Sequence, residues 1–160
     1  MKTAKKTTTG ISGTTKSSEE KNKQLVRRAV DEIWNLGKYQ MLNEFITDAF
    51  TIHLSNPDEK IHGLEGVVKY YTELRNAFPD IHFTIDSQMA EDDRVVTQWT
   101  ARGTHRGNFR GIPATGRKFQ IAAVDIERIV DGKVVECWPA MDELALLQQL
   151  GATTASVESR

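Results

Sequence analysis

The fold is indicated most clearly by residues 119–140, which read FQIAAVDIERIVDGKVVECWPA. Apolar and polar side chains alternate through 119–130 and again through 134–140, which is the pattern of a strand with one buried face. Between the two runs, Asp131-Gly132 is typical of a tight hairpin turn, because both residues accept a positive φ. The stretch therefore predicts two antiparallel strands.

Two more alternating runs come before this hairpin. The residues that share one face in each run are Ile81, Phe83 and Ile85, then Val95, Thr97, Trp99 and Ala101. A loop containing Gly and Pro, 105–118, joins the second run to Phe119. We expect four successive strands that form an antiparallel meander.

The first half of the chain has helical periodicity instead. Apolar residues recur at three- and four-residue spacing through 25–34, which predicts an amphipathic helix. Further helical patterns cover 39–46 and 62–78, and a strand pattern covers 49–54. A last helix is predicted at 142–147, after the meander.

Helices followed by an antiparallel meander predict the α+β class. We expect a curved antiparallel sheet wrapped around the N-terminal helices, with a cavity on its concave side. Residues 1–20 are mostly Lys, Thr, Ser and Gly, so they cannot bury enough apolar surface to order themselves. We predict a disordered tail over 1–20, one domain over 21–152 and a flexible end over 153–160.

Composition narrows the classes of partner. The 160 residues suffice for one domain, and 21 basic against 22 acidic side chains give a net charge of -1. Such a chain lacks the positive surface that holds nucleic acid or an anionic membrane, so we expect a small-molecule partner instead.

One cysteine, Cys137, excludes an internal disulfide and any CxxC motif. With no apolar run long enough for a membrane helix and no secretory signal, the predicted location is cytoplasmic.

Two carboxylates lie among apolar residues, where burial would raise their pKa toward the range that acid/base catalysis needs. Asp125 lies within the apolar run of the strand 119–130, and Asp142 follows the apolar segment 138–141. Asp142 also has an alternative role, because an aspartate just before an apolar helix caps that helix. The inward orientation predicted for Asp125 depends on the strand register, since a shift of one residue would turn its side chain to the other face of the sheet.

Two of the four histidines are candidates for a catalytic role. His53 lies on the first strand and His105 at the start of the long hairpin loop, where the mouth of a cavity is expected. A structural hydrogen bond is an equally good reading of either residue. No histidine pair has the spacing of a metal site, so we expect no metal.

Large apolar residues supply the walls of a predicted pocket for an apolar ligand. These residues are Trp99, Trp138, Phe50, Phe119 and Met141. Residues of this kind at strand spacing are also typical of an ordinary hydrophobic core, so they could either line a ligand pocket or pack against one another in the core.

The loop and its surroundings carry a more specific signal. Residues 103–116 read GTHRGNFRGIPATG, preceded by AFPD at 77–80 and followed by DGKVVE at 131–136 and LQQLG at 147–151. With these motifs, residues 22–152 resemble the SnoaL-like polyketide cyclases, also called ester cyclases. That family belongs to the nuclear-transport-factor-2-like superfamily of cone-shaped α+β folds.

The resemblance implies an intramolecular aldol condensation of a polyketide ester, without metal or cofactor, in which a late aspartate acts as acid and base. Asp142 matches that aspartate best, His53 and His105 match the family's histidines, and Asp125 is a reserve base. One departure stands out: relatives commonly have an acid directly after the tryptophan of the last strand, where this chain has Pro139. The resemblance also implies a homodimer.

We therefore expect a cofactor-independent, cyclase-type enzyme that acts on a hydrophobic carbonyl compound in an enclosed pocket. An isomerase or hydrolase of a terpenoid or steroid-like molecule would suit the same scaffold. From another class, a non-catalytic ligand-binding or dimerisation module is the alternative that the missing acid at Pro139 favours. Turnover, rather than binding, would separate the enzyme from the module.

Overall fold

The computed structural model describes residues 11–56 and 58–152. Its helices are α1 (Ile11–Ala29), α2 (Leu42–Phe45), α3 (Gly63–Ala77) and α4 (Glu143–Leu150). Helix α1 continues into a π-helical turn, Val30–Asn35, and a short 3-10 turn, Tyr39–Met41, comes before α2. No helix of the described residues is long and apolar enough to cross a membrane.

Six strands form one sheet in the order β2-β1-β6-β5-β4-β3. Their bounds are β1 (Ile46–His53), β2 (Lys60–His62), β3 (His82–Glu91), β4 (Arg94–Thr104), β5 (Lys118–Val130) and β6 (Lys133–Met141). The four-strand meander β3 to β6 is antiparallel, as the alternation predicts. Strand β1 pairs with β6 in parallel, so the sheet is mixed at that one pair. The α+β class and the curved sheet against N-terminal helices are confirmed.

Helix α1 begins earlier than the sequence pattern predicts. It starts at Ile11, inside the segment for which the composition predicts a disordered tail. Two contacts hold the extension: Lys23 pairs with Glu20 at 2.7 Å, and Glu19 accepts a hydrogen bond from the Asp92 amide at 3.3 Å. Residues 1–10 of the predicted tail and the predicted flexible end 153–160 lie outside the described residues.

Two groups of buried side chains fill the concave side of the sheet. One joins α1, α2, β1 and α3 around Ile33, Phe45 and Val67, all without exposed surface. The other joins the end of α3, the meander and α4 around Phe78 and Leu150. Between the two groups the side chains leave a space that becomes the candidate site.

The long hairpin loop 105–118 packs against the end of α3. The amides of Arg106 and Gly107 donate to the carbonyl oxygen of Ala77 at 2.9 and 3.0 Å. At Gly107 a Cβ atom would lie 2.2 Å from the Asn76 carbonyl oxygen, so only glycine allows this approach. The contact fixes the loop beside the open end of the cavity.

Candidate active site

A cavity of about 340 Å³ lies between the concave face of the sheet, α3, the hairpin loop and α4. Most of its wall is apolar, and the apolar residues include Ile52, Leu74, Phe78, Ile81, Trp99, Phe109, Phe119, Ile121, Met141 and Leu146. Its size falls at the lower end of the range for small-molecule sites. An apolar ligand with few polar groups suits such a wall.

Asp125 is the buried carboxylate in the wall of this cavity, whereas the other lining carboxylate, Glu73, is exposed. On β5, Asp125 lies between two cross-strand partners, Thr97 of β4 and Pro139 of β6. Burial raises the pKa of Asp125 to about 7, and the nearby Trp99 indole N–H partly opposes the rise. Its Oδ1 atom is buried without a hydrogen-bond partner among the described residues. The group is therefore suited to take and return a proton near neutral pH.

The residues predicted to line a pocket divide into three positions. Trp99, Phe119 and Met141 line the cavity. Phe50 lies deeper, beside a smaller space behind Asp125. Trp138 does not line the cavity, because it alternates with Cys137 and Pro139 and so faces the convex side of the sheet.

That smaller space, which we call the side cavity, measures about 40 Å³. It shares four wall residues with the main cavity: Ile52, Tyr71, Asp125 and Cys137. Its wall also contains a second carboxyl group, Glu127. Asp125 thus stands at the junction of the two cavities.

His105 lies outside the cavity wall. The side chain has no exposed surface, and its Nδ1 atom lies 3.0 Å from the Thr115 hydroxyl while the ring packs against Phe78. Burial lowers the pKa of His105, which favours the neutral ring, and the Gly107 backbone partly opposes this. These contacts fit the structural reading of His105, as a residue that fastens the base of the hairpin loop.

His53 faces the convex side of the sheet, away from Asp125. Its Nε2 atom lies 3.1 Å from Glu136 Oε1, and its ring stacks on Trp138 with centroids 4.9 Å apart. Glu136 also pairs with Arg128 at 2.6 Å. The structure thus brings His53 together with charged neighbours on the outer surface and with none of the other predicted catalytic residues.

Asp142 caps helix α4. Its Oδ1 atom accepts a hydrogen bond from the Ala145 amide at 2.8 Å, and the residue is exposed and does not line the cavity. The contacts match the capping reading of this residue.

We therefore expect Asp142→Ala to lower the stability of the fold by about 1 kcal/mol, the usual value of an N-cap. Turnover should stay within about threefold of the unaltered protein, since the side chain does not reach the cavity. Thermal melting and initial rates measure the two effects. A loss of turnover near 10²-fold with an intact fold would return Asp142 to the chemistry.

The mouth of the cavity carries an ion pair. Arg110 of the hairpin loop lies 2.6 Å from Glu143 at the start of α4. The pair joins two elements that face each other across the opening, with Tyr70, Glu73 and Asn108 beside it. Because Glu143 already neutralises Arg110, the mouth offers little net charge to an anionic ligand.

Several site residues were not singled out by the sequence analysis as functional. Tyr71 and Glu127 were not among the predicted site residues, although strand alternation puts Glu127 on the same face as Asp125. Period-two spacing from Asp125 was the signal that could have found Glu127. No such signal exists for Tyr70, because its position depends on how α3 packs.

No group of three or more His, Cys, Asp or Glu residues that could hold a metal ion occurs in the described part of the chain. The polar side chains that line the cavity instead include the buried carboxyl group of Asp125, two phenols, the Cys137 thiol and, at the mouth, Glu73, Asn108 and Arg110. Chemically, the arrangement can exchange a proton with an apolar molecule held away from bulk water.

Comparison with known proteins gives a consistent result. The sequence model of the SnoaL-like polyketide cyclase family matches residues 24–150. Aklanonic acid methyl ester cyclase DnrD of Streptomyces peucetius is 36% identical over 137 residues, which cover 79% of this chain and 88% of that protein. Aklanonic acid methyl ester cyclase DauD of Streptomyces sp. strain C5 is 34% identical over 135 residues, covering 79% and 80%.

A solved structure agrees with these relatives. The protein from Jannaschia sp. CCS1, described as a SnoaL-like polyketide cyclase, superposes with a TM-score of 0.78 at 26% identity. The superposition covers 84% of this chain and 94% of that one.

Proposed function

Since this chain belongs to the SnoaL-like polyketide cyclase family, we propose that it closes a ring of a polyketide ester, with Asp125 as both base and acid. The observation that carries the proposal is the single carboxylate of the main cavity that lies deep in an apolar wall, with a pKa raised to about 7. A methyl ester such as the one in the names of DnrD and DauD is the substrate class to test first.

The position of Asp125 supports a base on β5 in a chain that has Pro139 where relatives commonly have an acid. In the sheet, Asp125 and Pro139 are direct cross-strand partners, and both line the cavity. Side chains of such a pair lie about 5 Å apart at Cβ, so an acid on β5 reaches nearly the same part of the cavity as one on β6. We infer that the reaction base has its place on β5 in this protein.

The reaction itself needs only proton transfer. Ionised Asp125 takes the acidic proton between two carbonyl groups, and the C–H electron pair becomes an enolate. The enolate carbon attacks a ketone carbon of the same molecule, so that a C–C bond forms and the carbonyl π pair moves onto oxygen. That alkoxide takes the proton back from Asp125. Substrate and product are isomers, so no cofactor is consumed, and the apolar cavity would hold the two carbons in contact.

Conversion of aklanonic acid methyl ester tests the proposal. We expect a product of unchanged mass with a new chromatographic retention, together with exchange of the acidic proton in D₂O above the buffer rate. An acid product would indicate a hydrolase, and turnover of a steroid-like enone would indicate an isomerase. Tight binding of apolar ketones with neither product nor exchange would support the non-catalytic module.

A homodimer is also part of the proposal. Four apolar side chains form a continuous row across the convex face of the sheet, each the cross-strand partner of the next: Met89, Val96, Ile126 and Trp138. Met89 is 68% exposed. Apolar rows of this kind on a sheet face are typical of protein interfaces.

We expect Met89→Glu to shift the protein from dimer to monomer in light scattering, because the introduced charge would be buried at the interface. Leu36→Glu is the matched control, since Leu36 is 65% exposed but lies outside the sheet. A protein that is monomeric before any substitution would contradict this part of the proposal.

The predicted cytoplasmic location stays a prediction.

A further inference from the structure

The side cavity contains a carboxyl group, Glu127, that has no role in the proposed reaction. Glu127 is 8% exposed and follows Asp125 by two residues on the same face of β5. Both carboxyl groups line the side cavity, and only Asp125 also lines the main cavity. Burying two acids in one apolar space costs stability.

One side of Glu127 is fixed by a chain of hydrogen bonds. The Gln88 amide group lies 3.2 Å from the Thr97 hydroxyl oxygen and donates to it. The Thr97 hydroxyl in turn donates to Glu127 Oε2 at 3.2 Å. Thr97 is also the cross-strand partner of Asp125, so one residue of β4 touches Glu127 and lies beside Asp125.

The other groups around the side cavity carry no charge. No lysine, arginine or histidine lines it within the described residues. Tyr71 of α3 and Cys137 of β6 face it, and burial raises the pKa of both well above the usual range, so both stay neutral. Helix α1 contributes only Val26 and Ala29. Asp125 therefore has few donors to stabilise its ionised form.

We propose that Glu127 is a positioning residue that stays protonated and donates, through water in the side cavity, to ionised Asp125. The inference rests on the proposed role of Asp125 as the base. A cavity of about 40 Å³ has room for water. Glu127 keeps its proton through the whole reaction, while the substrate proton moves to Asp125 and back.

The order of ionisation supports this division. Burial raises the pKa of Glu127 to about 8, and the charge of Asp125 adds to the rise, while Asp125 itself is raised to about 7. The two groups titrate as a coupled pair in which one proton is held more tightly than the other. Once Glu127 also ionises, the donor is lost, and its negative charge opposes formation of the enolate.

The pH profile of kcat/KM tests the proposal. We expect a rise as Asp125 ionises and a fall as Glu127 ionises, with kcat/KM at about pH 9.5 roughly 20-fold below its maximum at about pH 7.5. Glu127→Gln keeps a neutral donor at every pH, so the alkaline fall should disappear. An alkaline fall that persists in this variant would overturn the proposal.

A second variant keeps the carboxyl group and changes only its partner. Thr97→Val removes the hydrogen bond that lowers the pKa of Glu127, so the alkaline fall should move to higher pH. Glu136→Gln is the control, because Glu136 faces the convex side and should leave the profile unchanged. A purely structural role would change the melting temperature but would not move the alkaline fall.

A carboxyl ¹³C NMR titration gives a readout that needs no substrate. Glu127 should still hold its proton when Asp125 has lost its own, and Asp125→Asn should lower the pKa of Glu127. Ionisation of Glu127 before Asp125 would overturn the proposal even in an active enzyme. Absence of turnover on any ester, with this ionisation order intact, would count against the proposed function instead.

Discussion

Asp125→Asn is expected to reduce turnover by about 10²-fold or more while the fold stays intact. The amide keeps the shape of the side chain but cannot accept a proton at neutral pH, so the enolate has no base. The unaltered enzyme should gain activity as the pH rises through about 7, where Asp125 ionises. Initial rates of ester conversion measure both effects.

Asp142→Asn is the matched control for this experiment. It makes the same chemical change at an exposed helix cap, and asparagine also caps helices well, so turnover should stay within about threefold. Equal losses in the two variants, or a larger loss at position 142, would contradict the assignment of Asp125 as base.

The second large effect is on stability. A carboxyl group with a raised pKa binds its proton more tightly in the folded state, so its contribution is fully present below about pH 4 and is lost as the pH rises through the folded pKa. For Asp125 and Glu127 the folded values are about 7 and about 8. Ionisation of each group therefore lowers the free energy of unfolding by on the order of 4 kcal/mol as the pH rises from about 4 to the folded pKa.

Asp125→Asn and Glu127→Gln should each raise the melting temperature at about pH 8.5 and change it much less at about pH 4.5. The difference between variant and unaltered protein isolates these two groups from the other carboxylates, of which Asp80 and Glu136 have lowered pKa values. Denaturant unfolding at several pH values gives the free energies. A difference that does not depend on pH would show that the two carboxyl groups are not buried in their neutral form.

The expected gain in stability and the expected loss of activity in Asp125→Asn have the same physical cause. An apolar cavity with an ionisable group is unfavourable for folding, and the same surroundings supply the raised pKa that acid/base catalysis requires. Glu127→Gln should show the same gain with a different kinetic change, confined to the alkaline side. The pair of variants therefore separates the base from its positioning residue.

The alternation of apolar side chains along the strands predicted which residues of β5 and β6 face the cavity. The runs before and after Asp131-Gly132 determine which side chains of β5 and β6 face inward, so Asp125, Phe119 and Met141 were expected on the cavity side and lie there. The turn alone does not fix the pairing, because a register shift between Arg128 and Ile129 moves the β5–β6 pairing by one residue. Local rules were also enough for Asp142, whose capping contact was one of its two readings.

Other parts of the site depend on contacts between distant residues. His53 was expected at the cavity mouth, but β1 pairs in parallel with β6, and this register sets it beside Glu136 on the convex side. Nothing in the local sequence specifies that pairing, because 83 residues separate the two partners. His105 is similar: its burial follows from how the hairpin loop packs on Phe78.

The most direct test of the central claim is a crystal structure of Asp125→Asn with the ester substrate bound. The account predicts that the acidic carbon of the substrate lies about 3 to 3.5 Å from the amide oxygen at position 125, within the cavity lined by Trp99 and Phe119. A substrate bound with that carbon beside Asp142, or outside this cavity, would contradict it.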